Sequence, residues 1–104
     1  MTFFIATKPQ SRKLPVHYSR LSMSERREVR EQYIREQQGL CYHCEVPLNE
    51  EPSNEVAVLD VSPDLFPEGF FKHPIHLHHD HDTDMTIGAV HAHCNAVLWE
   101  YEGK

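Results

Sequence analysis

Apolar and polar positions alternate with a period of two from Ile75: Ile75 and Leu77 are interleaved with His76 and His78, which predicts a strand. Asp82-Thr-Asp-Met reads as a turn and Thr86-Ile-Gly-Ala-Val90 as a second strand, so residues 75–90 are expected to form a hairpin. The spacing then changes. Ala92, Cys94, Ala96, Val97, Leu98 and Trp99 suit a closing helix over 92–101 that ends before Gly103. Upstream, Ser22 followed three residues later by Glu25 is a capping box, and strong helix formers run to Gln38 before Gly39 stops them. The predicted helix, 22–38, carries a narrow apolar stripe of Met23, Val29, Tyr33 and Ile34, and Glu31 and Arg35 form an i,i+4 pair in the favourable order.

Between and before these elements the pattern is weaker. Residues 1–20 have no periodicity, are broken by Pro9 and Pro15, and read as an extended basic arm. Residues 50–74, rich in proline and acidic side chains, read as a long excursion in which Val56-Ala-Val-Leu59 is a short strand. Leu65, Phe66, Phe70 and Phe71 are expected to pin that excursion to the core, and no function is read from it. The chain is therefore read as an arm, 1–20, followed by one α+β domain, 21–104.

At 104 residues, one modest core is what the length allows, and domains of this size often add a metal or disulfides. Three cysteines are the wrong number for a disulfide framework. No apolar run approaches the ~20 residues of a membrane span, and the N-terminus is too short for a secretory signal, so a cytoplasmic protein is expected. The net charge of −6 argues against a nucleic-acid partner until its distribution is considered. Residues 1–35 carry a net +5 and the remainder a net −11. Arg26, Arg27, Arg30 and the arm thus offer a local basic surface for a phosphate backbone, or simply a solvated helix face.

Ile75 to Trp99 concentrates six histidines, three aspartates, one cysteine and one asparagine, and two metal sites are read from it and its partners. Cys41-x-x-Cys44 is a knuckle, and His91-x-x-Cys94 repeats its spacing on the far side of the hairpin. Three thiolates and one imidazole suit a tetrahedral zinc that clamps both ends of the module. His43 and His93 have the right chemistry at the wrong spacing. The second group is His78-His79-Asp80-His81 at the end of the first strand, with Asn95 directly after the zinc cysteine. A ligand from the strand and another from the helix would leave a divalent ion open positions for water and phosphate, with a neighbouring imidazole as general base.

Leu77-His-His-Asp80-His81 followed by Gly88-Ala-Val-His91-x-x-Cys94-Asn95 resembles the HNH (ββα-metal, His-Me finger) endonucleases, and most closely the recombination endonuclease VII type. The resemblance covers about residues 39–101. It implies a zinc-stabilised ββα-metal module with a second, catalytic ion, and low-specificity hydrolysis of phosphodiesters in duplex or branched DNA to 5′-phosphate and 3′-hydroxyl ends. By that resemblance His79 is the general base, His78 and Asn95 bind the catalytic Mg²⁺ or Mn²⁺, and His81 contacts the scissile phosphate. Cys41, Cys44, His91 and Cys94 bind the zinc. Free-standing proteins of this type are frequent in phage and bacterial genomes, which implies DNA processing, in the host cytoplasm if phage-encoded. Two positions depart from the pattern: His78 stands where this branch has aspartate, which favours softer ions than Mg²⁺, and His91 replaces a zinc cysteine. Asp80 as ligand with His81 as base is a second register. The rival readings are a non-enzymatic zinc-stabilised nucleic-acid-binding or adaptor protein and a histidine-rich metal buffer.

Overall fold

Two strands and two long helices carry the fold in the computed structural model, which describes residues 12–103. Helix α1 spans Met23–Glu36; a one-turn helix α2 spans Asn54–Ala57; β1 (Ile75–His79) and β2 (Thr86–His91) form an antiparallel hairpin; and α3 spans Ala92–Glu102. The result is a small α+β fold with a two-stranded sheet. No helix among the described residues is long and apolar enough to cross a membrane.

Helix α1 starts where the capping box places it: Ser22 Oγ accepts from Glu25 N–H at 3.2 Å, and Glu25 Oε1 accepts from Ser22 N–H at 2.9 Å. It stops at a left-handed Gly39 (φ +78°), whose N–H bonds the Ile34 carbonyl. Val29 is fully buried and Tyr33 nearly so, and the Tyr33 hydroxyl meets Thr86 Oγ1 at 2.9 Å. Met23 departs from the expected stripe. It sits in the first turn, projects beyond the core and is 87 % exposed.

The hairpin pairs Ile75 with His91 and Leu77 with Ala89, then breaks register between His78 and His79. Leu77, Ala89 and Val90 join Val29, Leu48, Cys94 and Val97 in one core under α1 and α3. Gly88 has no room for a side chain: a Cβ there would stand 2.8 Å from Gln37 Oε1 and 3.0 Å from the Tyr42 ring. That closeness lets the Gln37 amide bridge the strand, accepting from Ala89 N–H at 2.8 Å and donating to the Ala89 carbonyl at 2.9 Å.

Two expectations are corrected. Val56-Ala-Val-Leu59 is not a strand: Asn54–Ala57 is a helical turn, with Val56 buried in the core. The expected arm is not extended over its described part, residues 12–20; residues 1–11 lie outside the described chain. Arg12 exchanges hydrogen bonds with the buried Gln32 amide, and Val16 N–H and C=O both bond Thr86. A 3-10 turn at Tyr18–Arg20 is tied to the hairpin loop by Tyr18 N–H to the Asp84 carbonyl and by Ser19 to the Asp84 carboxylate.

Candidate metal centres

Cys41 and Cys44 lie on a tight turn. Cys41 N–H bonds the Val46 carbonyl, Glu45 N–H bonds the Cys41 carbonyl, and Glu45 takes φ +65°. His91 closes β2, and Cys94 lies in the first turn of α3. The four side chains present one ligand atom each, all within 4.8 Å of one another, and Cys41, His91 and Cys94 are buried. Among the described residues no other group of three or more Cys, His, Asp or Glu converges so tightly. Tetrahedral zinc with ~2.3 Å bonds to sulfur sets its sulfurs about 3.8 Å apart, so this cluster has the right size.

The imidazole is already oriented for coordination. The Pro47 carbonyl can only accept, so the 3.0 Å contact places a proton on His91 Nε2. Nδ1 is left with its lone pair, facing Cys44 Sγ at 3.4 Å and Cys94 Sγ at 3.6 Å. The thiols show what a cation would relieve. Hydrogen bonding from Cys94 drives the Cys41 pKa well below its ordinary value, while that same bond, burial and the neighbouring sulfur charges push Cys94 upward. Three crowded thiols cannot all ionise unless a metal offsets their repulsion. His93 is no ligand, as expected. Its Nε2 lies 3.1 and 3.0 Å from the Val56 and Leu59 carbonyls and fastens the excursion to α3.

The second group assembles one residue further along α3, against β1. Asn95 follows Cys94 on α3, and its side chain reaches β1: Oδ1 lies 3.0 Å from His78 Nδ1, and Nδ2 lies 3.1 Å from His76 Nδ1. The Phe70 carbonyl, 2.8 Å from His76 Nε2, fixes the chemistry of this chain. A carbonyl accepts, so His76 carries its proton on Nε2 and accepts at Nδ1 from the Asn95 amide N–H. Asn95 must then turn its carbonyl oxygen toward His78. As it stands His78 Nδ1–H donates to that oxygen; with the proton moved to Nε2, an imidazole nitrogen and an amide oxygen ~3 Å apart would match two adjacent ligands of a six-coordinate divalent ion.

His79 is turned by the bulge after His78 so that it lines the same groove as Asn95 and His81. Its ring lies in a stack: Tyr18 is parallel to it at 3.8 Å, His81 is parallel at 4.7 Å on the other side, and the Arg26 guanidinium covers Tyr18 at 4.1 Å. Burial, then the neighbouring His81 and His78, lower the pKa of His79, favouring the neutral base. Burial also lowers those of His78, which is 3 % exposed, and His76. Asp80 is directed elsewhere. Its carboxylate accepts from the Asp82 and Thr83 N–H groups at 2.7 and 3.0 Å and shapes the hairpin loop.

The structure therefore brings His78 and Asn95 into contact and sets His79 and His81 beside them, while Asp80 serves the turn. The sequence reading missed two contributors. His76 had a visible signal, since the period of two places it on the same strand face as His78. Tyr18 had none, because only tertiary folding lays it on His79. Compared with protein-family models, curated proteins and solved structures, the chain matches none.

Proposed function

We propose that this chain is a metal-dependent DNA endonuclease of the HNH type, with zinc in the Cys41–Cys44–His91–Cys94 cluster as scaffold. The observation that supports it best is the pairing of the buried His78 Nδ1 with Asn95 Oδ1 at 3.0 Å, where Asn95, with His79, also lines a groove of about 1080 Å³. A divalent ion held by these two side chains, Mg²⁺ or Mn²⁺, would supply Lewis-acid stabilisation of charge developing on the phosphate and the leaving 3′-oxygen. His79, neutral, takes the proton of the attacking water. Tyr18 and His81 hold its ring against rotation. His81, in the same groove, contacts the scissile phosphate. Arg26, Arg27 and Arg30 on α1 bind flanking phosphates, which position the backbone and carry little sequence information. The products are 5′-phosphate and 3′-hydroxyl ends.

Supercoiled plasmid tests the reading. The zinc-loaded protein should nick it with Mg²⁺ or Mn²⁺, and His79→Ala should abolish nicking while zinc content is unchanged. Loss on His81→Ala with His79→Ala active would move the base to His81. DNA binding without cleavage in any divalent ion would leave a zinc-stabilised binding or adaptor protein.

A further inference from the structure

The groove over this site has two unlike walls. On one side stand Arg26, Arg27 and Arg30 of α1, none paired with a carboxylate among the described residues. Arg26 lays its guanidinium over the Tyr18 ring at 4.1 Å, with Nε buried and without a hydrogen-bond partner. On the other side the wall is aromatic. Phe66, Phe70 and Trp99 line it as one aromatic cluster, Phe66 lying 4.6 Å from Phe70 at 33° and 5.7 Å from Trp99 at 67°, so that ring faces and edges alternate. Trp99 remains 40 % exposed although it sits on the last helix of a small core. His76, His79 and Asn95 line the same groove.

A duplex would offer charged phosphates to both walls and leave the rings facing a backbone. An unpaired strand has one charged edge and one set of bare base faces. Cations that track the backbone, opposite aromatic rings that stack bases, are the two parts of a single-strand site. Pockets for drug-sized molecules run about 300–1,000 Å³, so a groove of ≈ 1080 Å³ has room for a few nucleotides. We infer that this groove holds an unpaired stretch of DNA, phosphates against α1 and bases against Phe66, Phe70 and Trp99, with the backbone crossing His79 and Asn95. The inference rests on the nuclease reading for its purpose and names that enzyme's substrate form, but its test needs no cleavage.

Zinc-loaded full-length protein in Ca²⁺ and low salt is titrated with an oligothymidylate about a dozen nucleotides long, and separately with a hairpin duplex of equal phosphate count. Trp99 is the chain's one tryptophan, so its fluorescence reports stacking at this wall. The oligothymidylate should quench Trp99 and bind at least about tenfold more tightly than the duplex, by anisotropy of the labelled DNA. Trp99→Ala should weaken that binding by on the order of tenfold, and Trp99→Phe should restore most of it. Arg27→Gln with Arg30→Gln should weaken binding and reduce its salt dependence by about two phosphate contacts. Equal affinity for the duplex, binding that leaves Trp99 fluorescence unchanged, or no binding of either DNA overturns the inference. If Trp99→Ala fails to fold, as judged by circular dichroism, the wild-type quenching and the Trp99→Phe variant decide. Plasmid nicking without single-strand preference would sink the groove and spare the nuclease; single-strand binding without nicking would do the reverse.

Discussion

Replacing His76 by phenylalanine keeps a ring edge-on to Phe70, where the imidazole now lies at 4.5 Å, and deletes both ring nitrogens. The Phe70 carbonyl loses its donor, and the Asn95 Nδ2 group loses the acceptor that fixes which way the amide faces. With His76 in place, Oδ1 must point at His78; without it, the amide turns over at little cost, because a net hydrogen bond is worth about 0.5–1.5 kcal/mol. A turned amide offers N–H groups where a divalent ion needs an oxygen. Losing such an outer partner costs about 10–100-fold in metal affinity, or about 1.4–2.7 kcal/mol. Free Mn²⁺ measured by electron paramagnetic resonance during titration of the zinc-loaded protein gives that affinity directly. His76→Phe should raise the Mn²⁺ dissociation constant by this factor, leave zinc at wild-type stoichiometry, and regain much of its nicking at saturating Mn²⁺. Wild-type Mn²⁺ affinity in this variant would mean that Asn95 is oriented by something other than His76, and the relay from Phe70 to His78 would lose its role.

Four further outcomes follow from the same geometry. Chelating the zinc should unfold the domain, since structural zinc contributes about 10–16 kcal/mol against a usual total stability of about 5–15 kcal/mol; an unchanged melting curve would show the cluster to be dispensable. The lowered pKa of His79 means that its neutral form persists below the ordinary 6.5, so nicking should fall on acidification with a midpoint under that value, and a midpoint at or above it would contradict the assignment. Tyr18→Leu should slow nicking by about two- to tenfold, the worth of one aromatic pair, whereas Tyr18→Phe should keep the wild-type rate; equal effects of the two would remove the stack from the argument. Gly88→Ala should lower stability by about 1–3 kcal/mol, as overpacking does, because its Cβ would displace the Gln37 amide from Ala89; thermal melts will show it.

What could be read in the sequence was what local pattern controls. The capping box at Ser22, the stop at Gly39, the alternation from Ile75 and the paired ligand spacings each depend on residues a few positions apart, and each appears in the structure. Tertiary partners hid the rest. Residues 12–20 have no periodicity because what holds them, Gln32, Asp84 and Thr86, lies up to 70 residues away in sequence. Val56 to Leu59 is four apolar residues long, too short for periodicity to separate strand from helix turn. Its helical state comes from packing Val56 into the core while the Val56 and Leu59 carbonyls face the ring of His93. Of the four apolar residues expected to pin the excursion to the core, Leu65 and Phe71 are exposed, while Phe66 and Phe70 lie outside the buried cluster and meet Trp99 and His76 instead. The use of the Phe70 carbonyl to orient His76 is a backbone contribution that no side-chain pattern encodes.

The closeness of the two centres has a consequence for how the protein can fail. Cys94 and Asn95 are neighbours on the first turn of α3, and His91, which ends β2, is also the residue that caps that helix. Any loosening of the sulfur cluster therefore moves the start of α3, and with it the amide that must reach His78 at 3.0 Å. A shift of about 1 Å can cost on the order of a hundredfold in catalysis, far more than it costs the hydrophobic core. The same turn binds the fold to the site from the other side: His76 and His78 stand on the strand paired with β2, and the excursion reaches the relay through Phe70. A domain with so small a core would hold the amide in place through the cluster, and that is the physical reason for a group able to bind a metal to lie one residue from the ligands proposed for catalysis.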